Sequence, residues 1–447
     1  MRNCENPFAV PFFNKKTTIM ETALPNQNNH LKSRLILMSF LQYAVWGAYL
    51  TCMGKYLGHS GLGDKIGLFY AMQGIVSMFM PALMGIVADR WIPAQKTLSL
   101  CHFISGGAMI LASFHGIYNA HPDFGTLFTL YSIGVAFYMP TIALSNSVTY
   151  NALEKGGLDT IKDFPPIRVF GTIGFIAAMW AIDLLQLSET PYQFLLSGAL
   201  GVILAAYSIT MPNCPICNTG EKKSFAEALG LNAFKLFRQR KMAVFFIFSM
   251  CLGAALQVTS SFATPFISSF RANPEFADTF GVKYSVIIYS ISQISETICI
   301  LLIPFFLRRF GIKNVMLMAM LAWVLRFGLF GIGDPGTGLW AIILSMIFYG
   351  FAFDFYNISG SLFVNQETDP SMRSSAQGLF MLMTNGLGAT LGIFAAQAVV
   401  NSYCHWSEPP HPTLVGDWPT VWFIFAAYAL VIAVLFAIFF RYKHERK

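Results

Sequence analysis

Residues 80–91 read MPALMGIVADRW, an apolar run that ends in the charged pair Asp89-Arg90. Runs of this kind recur from Leu35 to Phe440, and most approach the ~20 apolar residues that a helix needs to cross ~30 Å of hydrocarbon. Of the 447 residues, 55% are hydrophobic and only 11% are charged, whereas about a quarter of the residues in a soluble domain are charged. The sequence therefore predicts an all-α integral membrane protein and excludes a water-soluble one.

Twelve membrane-spanning helices are predicted, in two groups of six. The first six spans are 35–57, 67–88, 97–118, 126–148, 166–187 and 193–211. The last six are 242–270, 286–307, 314–333, 338–361, 376–400 and 419–440. We therefore expect an N-terminal half over 35–211 and a C-terminal half over 242–440, with a polar tail at 1–34, a basic central loop at 212–241 and a basic tail at 441–447.

The lysines and arginines predict how the helices are oriented. With both termini in the cytoplasm, about 23 of the 29 lysines and arginines fall on the cytoplasmic side and about 4 on the other side, as the positive-inside rule requires. We expect a multi-pass protein of the cytoplasmic (inner) membrane with both termini cytoplasmic. The net charge of +7 reflects this sidedness and not the binding of nucleic acid.

The N-terminal tail and the cysteines predict no further site. Residues 1–34 lack an apolar core of signal-peptide length, so the first span is expected to act as an uncleaved signal, with Met1 or Met20 as the start. Cys214 and Cys217 form the only close cysteine pair. A structural zinc site needs two more ligands, and none is evident nearby. We therefore expect neither a metal nor another cofactor.

A short motif follows the second span and recurs in outline after the eighth. Gly85, Asp89 and Arg90 form a Gly-x-x-x-Asp-Arg pattern, and residues 308–313 (RRFGIK) form a second basic turn. The first pattern resembles the loop signature of the major facilitator superfamily, although the later Gly-Arg is missing here and the second turn lacks the aspartate. The resemblance implies the major facilitator fold, whose halves are related by an axis along the membrane normal, and a conformational role for the loop.

Ionisable residues inside the spans are few. Each costs roughly 2.5–3.5 kcal/mol at the bilayer centre on insertion scales, so each is expected to have a function. Glu296 lies in the middle of the eighth span and shares a helix face with Gln293. Asp354 lies in the tenth span beside a stripe that contains Tyr349 and Phe353. These two carboxyl groups are therefore the first candidates for a buried functional site.

Other spans carry polar stripes at helical spacing. They are Arg168, Thr172 and Phe175 in the fifth span, Gln257 and Ser260 in the seventh, and Gln42, Trp46 and Tyr49 in the first. Amides and charged groups hydrogen-bond hydroxyls, and aromatic rings stack on planar groups. The combined set predicts a site for a neutral ligand with a hydroxylated part and a flat part.

Each candidate also has a purely structural interpretation. Arg168 can reach the membrane interface, the aromatic stripe of the tenth span can be ordinary packing, and Glu296 can form a helix–helix hydrogen bond. Asp183 and Arg326 lie nearer to span ends, and we assign them to snorkelling or structural pairing.

Several long stretches resemble the bacterial nucleoside:proton symporters of the same superfamily. They are DFPPIR at 163–168, FIFSM at 246–250, SISQISET at 290–297 and AFDFYNISG at 352–360. The resemblance runs from about Leu35 to His444. It implies proton-coupled uptake of purine and pyrimidine nucleosides by alternating access, driven by the proton gradient without a cofactor. It also implies a monomeric transporter in the lipid bilayer, not an enzyme.

The resemblance also implies roles for single residues. The positions that match the family's substrate contacts are Arg168, Thr172, Phe175, Gln257, Gln293, Glu296, Tyr349 and Phe353, with Asp354 beside them. Ser260 stands where the family pattern has an asparagine, so the contact with a ribose or a base is expected to differ there.

The carboxyl groups predict how uptake is driven. Burial favours the neutral form of a carboxyl group, whereas a nearby arginine favours the ionised form, so such a group can load and release a proton. We expect Glu296 or Asp354 to be protonated from outside and deprotonated inside.

Two other classes of function stay open on the residues alone. The segment RVFGTIGF at 168–175 also resembles the fifth helix of lactose-type permeases, which suggests a sugar or oligosaccharide:proton symporter. A membrane-embedded enzyme or sensor is a remote alternative, because no nucleophile or metal-ligand constellation is evident.

Overall fold

A computed structural model of the chain describes residues 25–214, 216, 231–369, 372–408 and 412–442. The predicted N-terminal tail as far as residue 24, including Met20, lies outside these ranges. Cys217 and half of the predicted central loop also lie outside them.

The first group of spans consists of eight α-helices. Their bounds are α1 Pro25–Gly47, α2 Met53–His59, α3 Ile66–Ser77, α4 Met80–Arg90, α5 Ala94–Tyr118, α6 Phe124–Lys155, α7 Thr160–Leu184 and α8 Tyr192–Ile209. A short 3₁₀ helix, Gly63–Lys65, precedes α3. The first span is thus α1 continued by α2, and the second is α3 continued by α4.

The second group follows a 3₁₀ helix at Leu231–Arg238. Its helices are α9 Arg240–Ser269, α10 Phe280–Lys283, α11 Ser285–Ile332, α12 Leu339–Glu367, α13 Arg373–Met381, α14 Ala389–Tyr403 and α15 Trp418–Phe439. A π-helical segment, Leu382–Gly388, joins α13 to α14. The strands β1 Cys404–Trp406 and β2 Leu414–Gly416 pair antiparallel, with His405 opposite Val415.

Ten helical segments of the described ranges are long and apolar enough to cross a membrane. One of them is the 48-residue α11, in which Gly311 has φ 76°. Glycine adopts this left-handed conformation without steric cost, and it divides α11 into two spans. The first span, α1 with α2, comes in addition to the ten. This accounting is consistent with the predicted twelve.

Two helix starts differ from the predicted ones. α1 begins at Pro25 and not at 35, and the helix is interrupted after Gly47. α7 begins at Thr160, whereas the fifth span was predicted to begin at 166. The extra turn is held against α1 by an ion pair of 2.8 Å between Lys32 and Asp163.

Glycines bring equivalent spans together in both groups. A Cβ atom on Gly174 of α7 would lie 2.1 Å from the Phe40 carbonyl oxygen of α1. In the second group, a Cβ on Gly253 of α9 would lie 2.1 Å from the Thr384 carbonyl oxygen. Small residues allow helix backbones to approach closely in membranes. The first span therefore packs on the fifth as the seventh packs on the eleventh, so the two groups are built alike.

The helix directions define two faces of the molecule. α1 begins and α15 ends on one of them, which we call the terminal face. The connections 185–191 and 273–279 and the β1–β2 hairpin lie on the opposite face, which we call the far face.

Candidate substrate and proton site

The polar stripe of α7 faces α1. The guanidinium carbon of Arg168 lies 3.9 Å from the centroid of the Tyr43 ring, a cation–π contact. Phe175 meets Trp46 edge to face, with ring centroids 6.1 Å apart. The glycines between α1 and α7 permit this closeness. The structure thus presents a cation and aromatic rings from the first group of spans.

Arg168 also faces the carboxyl groups of the second group. Its charge acts on both Glu296 of α11 and Asp354 of α12, and the two carboxyl groups act on each other. Asp354 is 5% exposed, and its Oδ2 atom has no hydrogen-bond partner within the described ranges. The structure therefore places the three ionisable residues that the sequence predicted near one another. Two carboxyl groups, of Glu296 and Asp354, share one guanidinium, that of Arg168.

Aromatic rings of α12 lie beside these charges. Tyr349 and Phe353 stack with ring centroids 5.9 Å apart and an angle of 11° between ring planes. Trp323 packs edge to face on Tyr349 at 6.1 Å. The charges of Glu296 and Asp354 act on the Tyr349 hydroxyl, so this stack borders the carboxyl pair. Its position suits the flat part of a ligand.

A hydroxyl cluster connects α9 to α11. Tyr289 is buried, and its hydroxyl interacts with the side chains of Ser260 and Thr259. It also lies within the electrostatic reach of Glu296. The predicted Ser260 position is therefore linked to the carboxyl pair through a tyrosine.

For the remaining predicted residues, the structure gives their positions on the helices. Thr172 lies on α7 between Arg168 and Phe175, Gln257 lies on α9, and Gln293 lies on α11 one turn before Glu296. Gln42 of the first-span stripe turns into its own group of helices. It donates to Thr141 Oγ1 at 2.7 Å and contacts His102 Nε2 at 2.8 Å.

Charged residues join the two groups of spans at the far face. Lys55 Nζ, on α2, donates to Ser188 Oγ at 3.0 Å and to Ser285 Oγ at 3.3 Å, and lies 3.6 Å from Glu189. Arg271 of the second group pairs with Glu189 of the first at 2.9 Å. We call Lys55, Ser188, Glu189, Arg271 and Ser285 the far-face network. Lys55 is only 4% exposed, so these contacts form a closed seam.

Helix ends reinforce the seam. Asp183 Oδ2, on α7, accepts from the backbone N–H groups of Val286 and Ile287 at 3.1 and 3.0 Å, at the start of α11. A carboxylate at a helix N-terminus satisfies free N–H groups and favours the helix dipole. Trp180 Nε1 donates to Ser290 Oγ at 2.8 Å. The assignment of Asp183 to structural pairing agrees with this geometry.

The β1–β2 hairpin closes the same face. A Cβ atom on Gly63 would lie 1.9 Å from Trp406 Nε1, and one on Gly58 would lie 1.9 Å from the Trp406 ring. The indole of the second group therefore fills the space that these two glycines leave in the first.

On the terminal face, the ion pairs of the described residues lie within one group of spans. Lys32–Asp163, at 2.8 Å, joins helices of the first group, and Lys241–Glu367, at 2.6 Å, joins helices of the second. Among the described residues, no ion pair joins the two groups on this face. Among the residues that the structure describes, the ion pairs between the halves are therefore found at the far face.

The predicted conformational loop lies at the end of a helix. Gly85, Asp89 and Arg90 occupy the last turns of α4, and the turn at Trp91 leads into α5. The role of these residues stays a prediction.

Three site residues were missed or misassigned. Tyr289 precedes Gln293 by four residues and Glu296 by seven, so helical spacing alone could have placed it on their face. Tyr43 precedes Trp46 by three residues, so the same spacing could have added it to the first-span stripe. Arg326 was assigned to snorkelling or structural pairing near a span end, and the structure buries it completely.

Two helical halves that meet at one face, with charged and aromatic residues at their junction, define a secondary transporter of the major facilitator type. Within the described ranges, no group of three or more His, Cys, Asp and Glu residues could hold a metal ion.

A sequence profile described as Nucleoside H+ symporter matches residues 29–445. The chain belongs to this family.

Two relatives match the sequence of this chain over nearly their full length. The chain is 48% identical over 415 residues to xanthosine permease of Escherichia coli (strain K12), covering 92% of this chain and 96% of the relative. It is 46% identical over 422 residues to nucleoside permease NupG of the same strain, covering 93% and 97%.

Solved structures of transporters are also similar to this chain. The crystal structure of the nucleoside transporter NupG superposes with a TM-score of 0.83 at 45% identity, covering 92% of this chain and all 100% of that one. The xylose transporter XylE of E. coli, at 14% identity and a TM-score of 0.58, shares the fold alone. The protein is therefore a multi-pass inner-membrane transporter that couples nucleoside uptake to protons, and not an enzyme.

Proposed function

We propose that purine and pyrimidine nucleosides bind at the junction of the halves, between Arg168 with its α1 neighbours and the Tyr349–Phe353 stack. The observation that carries this proposal is that Arg168 of one half, 3.9 Å from the Tyr43 ring centroid, lies within electrostatic range of Glu296 and Asp354 of the other. The base would stack on the rings, and the ribose hydroxyls would bond to the amides and charged groups. Gln257, Ser260 and Gln293 supply the remaining polar groups, and Thr172 and Phe175 line the α7 side.

Charge balance supports proton coupling by the same residues. With both carboxyl groups ionised, the site holds two negative charges and one positive charge, with Asp354 buried and Arg168 and Glu296 half-buried. Like charges at close range cannot both be ionised without a large cost. One proton shared by Glu296 and Asp354 makes the site neutral, and the two groups titrate as a pair. The proton gradient then drives loading from one side and release to the other, without a cofactor.

Orientation follows from charge. Both termini are proposed to be cytoplasmic, because the lysines and arginines concentrate on the terminal face. The far-face network would then close the external side of the transporter. We further propose that one chain in the bilayer is sufficient for transport.

Uptake into sealed vesicles tests the proposal. We expect uridine and adenosine to accumulate when an inward proton gradient or a negative internal potential is imposed separately, and a protonophore to abolish this accumulation. Each nucleoside should inhibit uptake of the other, whereas a disaccharide should not. Uptake that is insensitive to both gradients would contradict coupling, and inhibition by the disaccharide would favour a sugar transporter.

Ser260→Asn is expected to change selectivity among nucleosides. Asparagine restores the amide of the family pattern and adds a donor and an acceptor next to Tyr289. One hydrogen bond contributes about 0.5–1.5 kcal/mol, or roughly 2- to 10-fold in affinity. Competition of labelled uridine uptake by a panel of nucleosides should therefore change in rank or ratio. Ser260→Ala is the control that removes the hydroxyl without adding an amide, and an inhibition profile unchanged in both variants would make Ser260 peripheral.

Glu189→Gln is expected to loosen the external closure. Burial raises the pKa of the Glu189 carboxyl, but the charges of Lys55 and Arg271 lower it by more, so its pKa lies below the usual range. A lowered pKa means that the ion pairs are present at neutral and mildly acidic external pH and are lost only as the pH falls through that lowered value. The acidification that drives uptake therefore leaves the closure intact.

An introduced cysteine measures this closure. Thr51→Cys places a thiol at a position that is 2% exposed and whose backbone carbonyl accepts from Thr264 of the other half. A membrane-impermeant maleimide, added outside, should react several-fold faster when Glu189→Gln is also present. The matched control is Asp64→Asn, whose ion pair with Lys65 lies within one half. Equal rates in all backgrounds would show that Glu189 does not hold the external face shut.

A further inference from the structure

Arg326 is a buried cation that the proposed transport cycle leaves unused. It lies in the second helix of α11, and its side chain is 0% exposed. Of the two roles that the sequence suggested, snorkelling to the interface is therefore wrong, whereas structural pairing agrees with the hydrogen bonds of Arg326 to Ser345 and Ser292. The side chain instead extends from the second helix of α11 to α12, where its guanidinium contacts Ser345 and the Tyr349 ring.

Arg326 is tied to both neighbouring helices. Its Nη1 atom donates to the Ser345 carbonyl oxygen at 2.9 Å and to Ser292 Oγ at 3.3 Å. Ser345 Oγ in turn donates to the Arg326 carbonyl oxygen at 2.8 Å. The residue thus bonds to α12 through both its backbone and its guanidinium, so its position relative to α12 is fixed.

The guanidinium lies against the ring of a proposed site residue. Its central carbon is 4.7 Å from the centroid of Tyr349 and 5.3 Å from that of Phe330. Its charge also acts on Tyr289. Tyr349 therefore has Arg326 as one neighbour and the stacked Phe353 as another.

No carboxylate compensates this charge. Among the described residues Arg326 forms no ion pair, and its Nε and Nη2 atoms have no hydrogen-bond partner. A buried charge without a partner is costly, and an apolar side chain of similar length would fill this space at less cost. An ionisable residue kept inside a membrane protein therefore indicates a function. The contacts that a leucine or methionine could not make are the cation–π contact and the two hydrogen bonds.

We propose that Arg326 is a positioning residue for substrate binding: it fixes the plane of the Tyr349 ring, and through it the Tyr349–Phe353 stack on which the nucleoside base lies. It does not touch the substrate. This inference rests on the proposed function, because it takes the stack as the contact with the base.

The test is a double-mutant cycle with Arg326→Lys and Tyr349→Leu in proteoliposomes. Lysine keeps the charge but loses the planar guanidinium, which alone matches the ring and both acceptors. We expect KM for uridine to rise about tenfold in Arg326→Lys, with the maximal rate changed less than about twofold. In the Tyr349→Leu background, Arg326→Lys should add less than about twofold, because residues that act as a unit are not additive. Full additivity, or an unchanged KM, would overturn the proposal.

A second measurement separates positioning from folding and from the choice of substrate. Selective 3-fluorotyrosine at position 349 gives a fluorine NMR signal that reports the ring without any nucleoside. We expect a single narrow signal in the parent protein and a broadened or shifted one in Arg326→Lys. Arg309→Lys, the same exchange at an exposed arginine of α11 that lies over the Phe310 ring at 5.8 Å, is the control and should leave KM within about twofold. An unchanged signal in Arg326→Lys would overturn the proposal even if KM rose, whereas absence of uridine uptake by the parent protein would overturn the proposed function instead.

Discussion

Glu296→Gln is expected to abolish concentrative nucleoside uptake while exchange of nucleoside across the membrane continues. Glutamine has nearly the shape of glutamate and keeps a hydrogen-bonding group at this position, but it cannot bind and release a proton. Moving one positive charge inward is worth about 2.3 kcal/mol per 100 mV, or roughly 50-fold in accumulation. The variant should therefore reach equal concentrations on both sides.

Two assays in the same proteoliposomes check this expectation. Accumulation of labelled uridine is measured under an imposed potential and pH gradient, and exchange is measured with unlabelled uridine loaded inside. Asp354→Asn is the companion variant, because the two carboxyl groups act on each other and titrate as a pair. Glu367→Gln is the control, since that carboxylate pairs with Lys241 at the terminal face.

The outcome of the two assays shows which carboxyl group carries the coupled proton. Loss of accumulation in both site variants, with exchange kept, means that the pair carries the proton jointly. Loss in one variant alone assigns the proton to that residue. Normal accumulation in Glu296→Gln would remove this residue from coupling, and loss of exchange as well would indicate that its main role is to bind the substrate.

Much of the fold could be predicted from the sequence, because apolar length and turn residues determine where a chain crosses a membrane. The exceptions have local causes. Residues 160–165 precede the apolar run that marked the fifth span, and contact with α1 through the Lys32–Asp163 ion pair keeps this turn helical. The break after Gly47 lies within one apolar run, so hydrophobicity alone does not indicate it.

The candidate site was predictable where residues share one helix face. Helical spacing predicted Arg168, Thr172 and Phe175 on one face of α7 and Gln293 and Glu296 on one face of α11, and their roles in substrate binding stay predictions. Contacts between distant segments were not, since nothing in the local sequence of Lys55 or Arg271 indicates that both meet Glu189. Arg326 shows the same limit, because its burial depends on the direction of its side chain and not on its place along the span.

Arg168→Ala is expected to weaken nucleoside binding at least about 100-fold. The substitution removes the cation over Tyr43 and the positive neighbour of Glu296 and Asp354. Deleting one partner of a fully buried charge pair costs about 3–5 kcal/mol, and we expect a loss near the lower end of that range because Asp354 is buried but Arg168 is half-buried. Equilibrium binding of uridine to purified protein measures this loss directly. Arg168→Lys should lose less, about tenfold, because it keeps the charge but not the planar group that stacks on Tyr43.

Lys32→Ala is the matched control for this prediction. Lys32 also contacts α7, through its ion pair with Asp163 at 2.8 Å, but it lies at the terminal face and away from the carboxyl pair. It should change uridine affinity less than about twofold, as expected for a partly exposed ion pair. Affinity retained in Arg168→Ala would place Arg168 at the membrane interface, where it would serve orientation and not substrate binding. An equal loss in Lys32→Ala would mean that both variants act by disturbing the packing of α7 on α1.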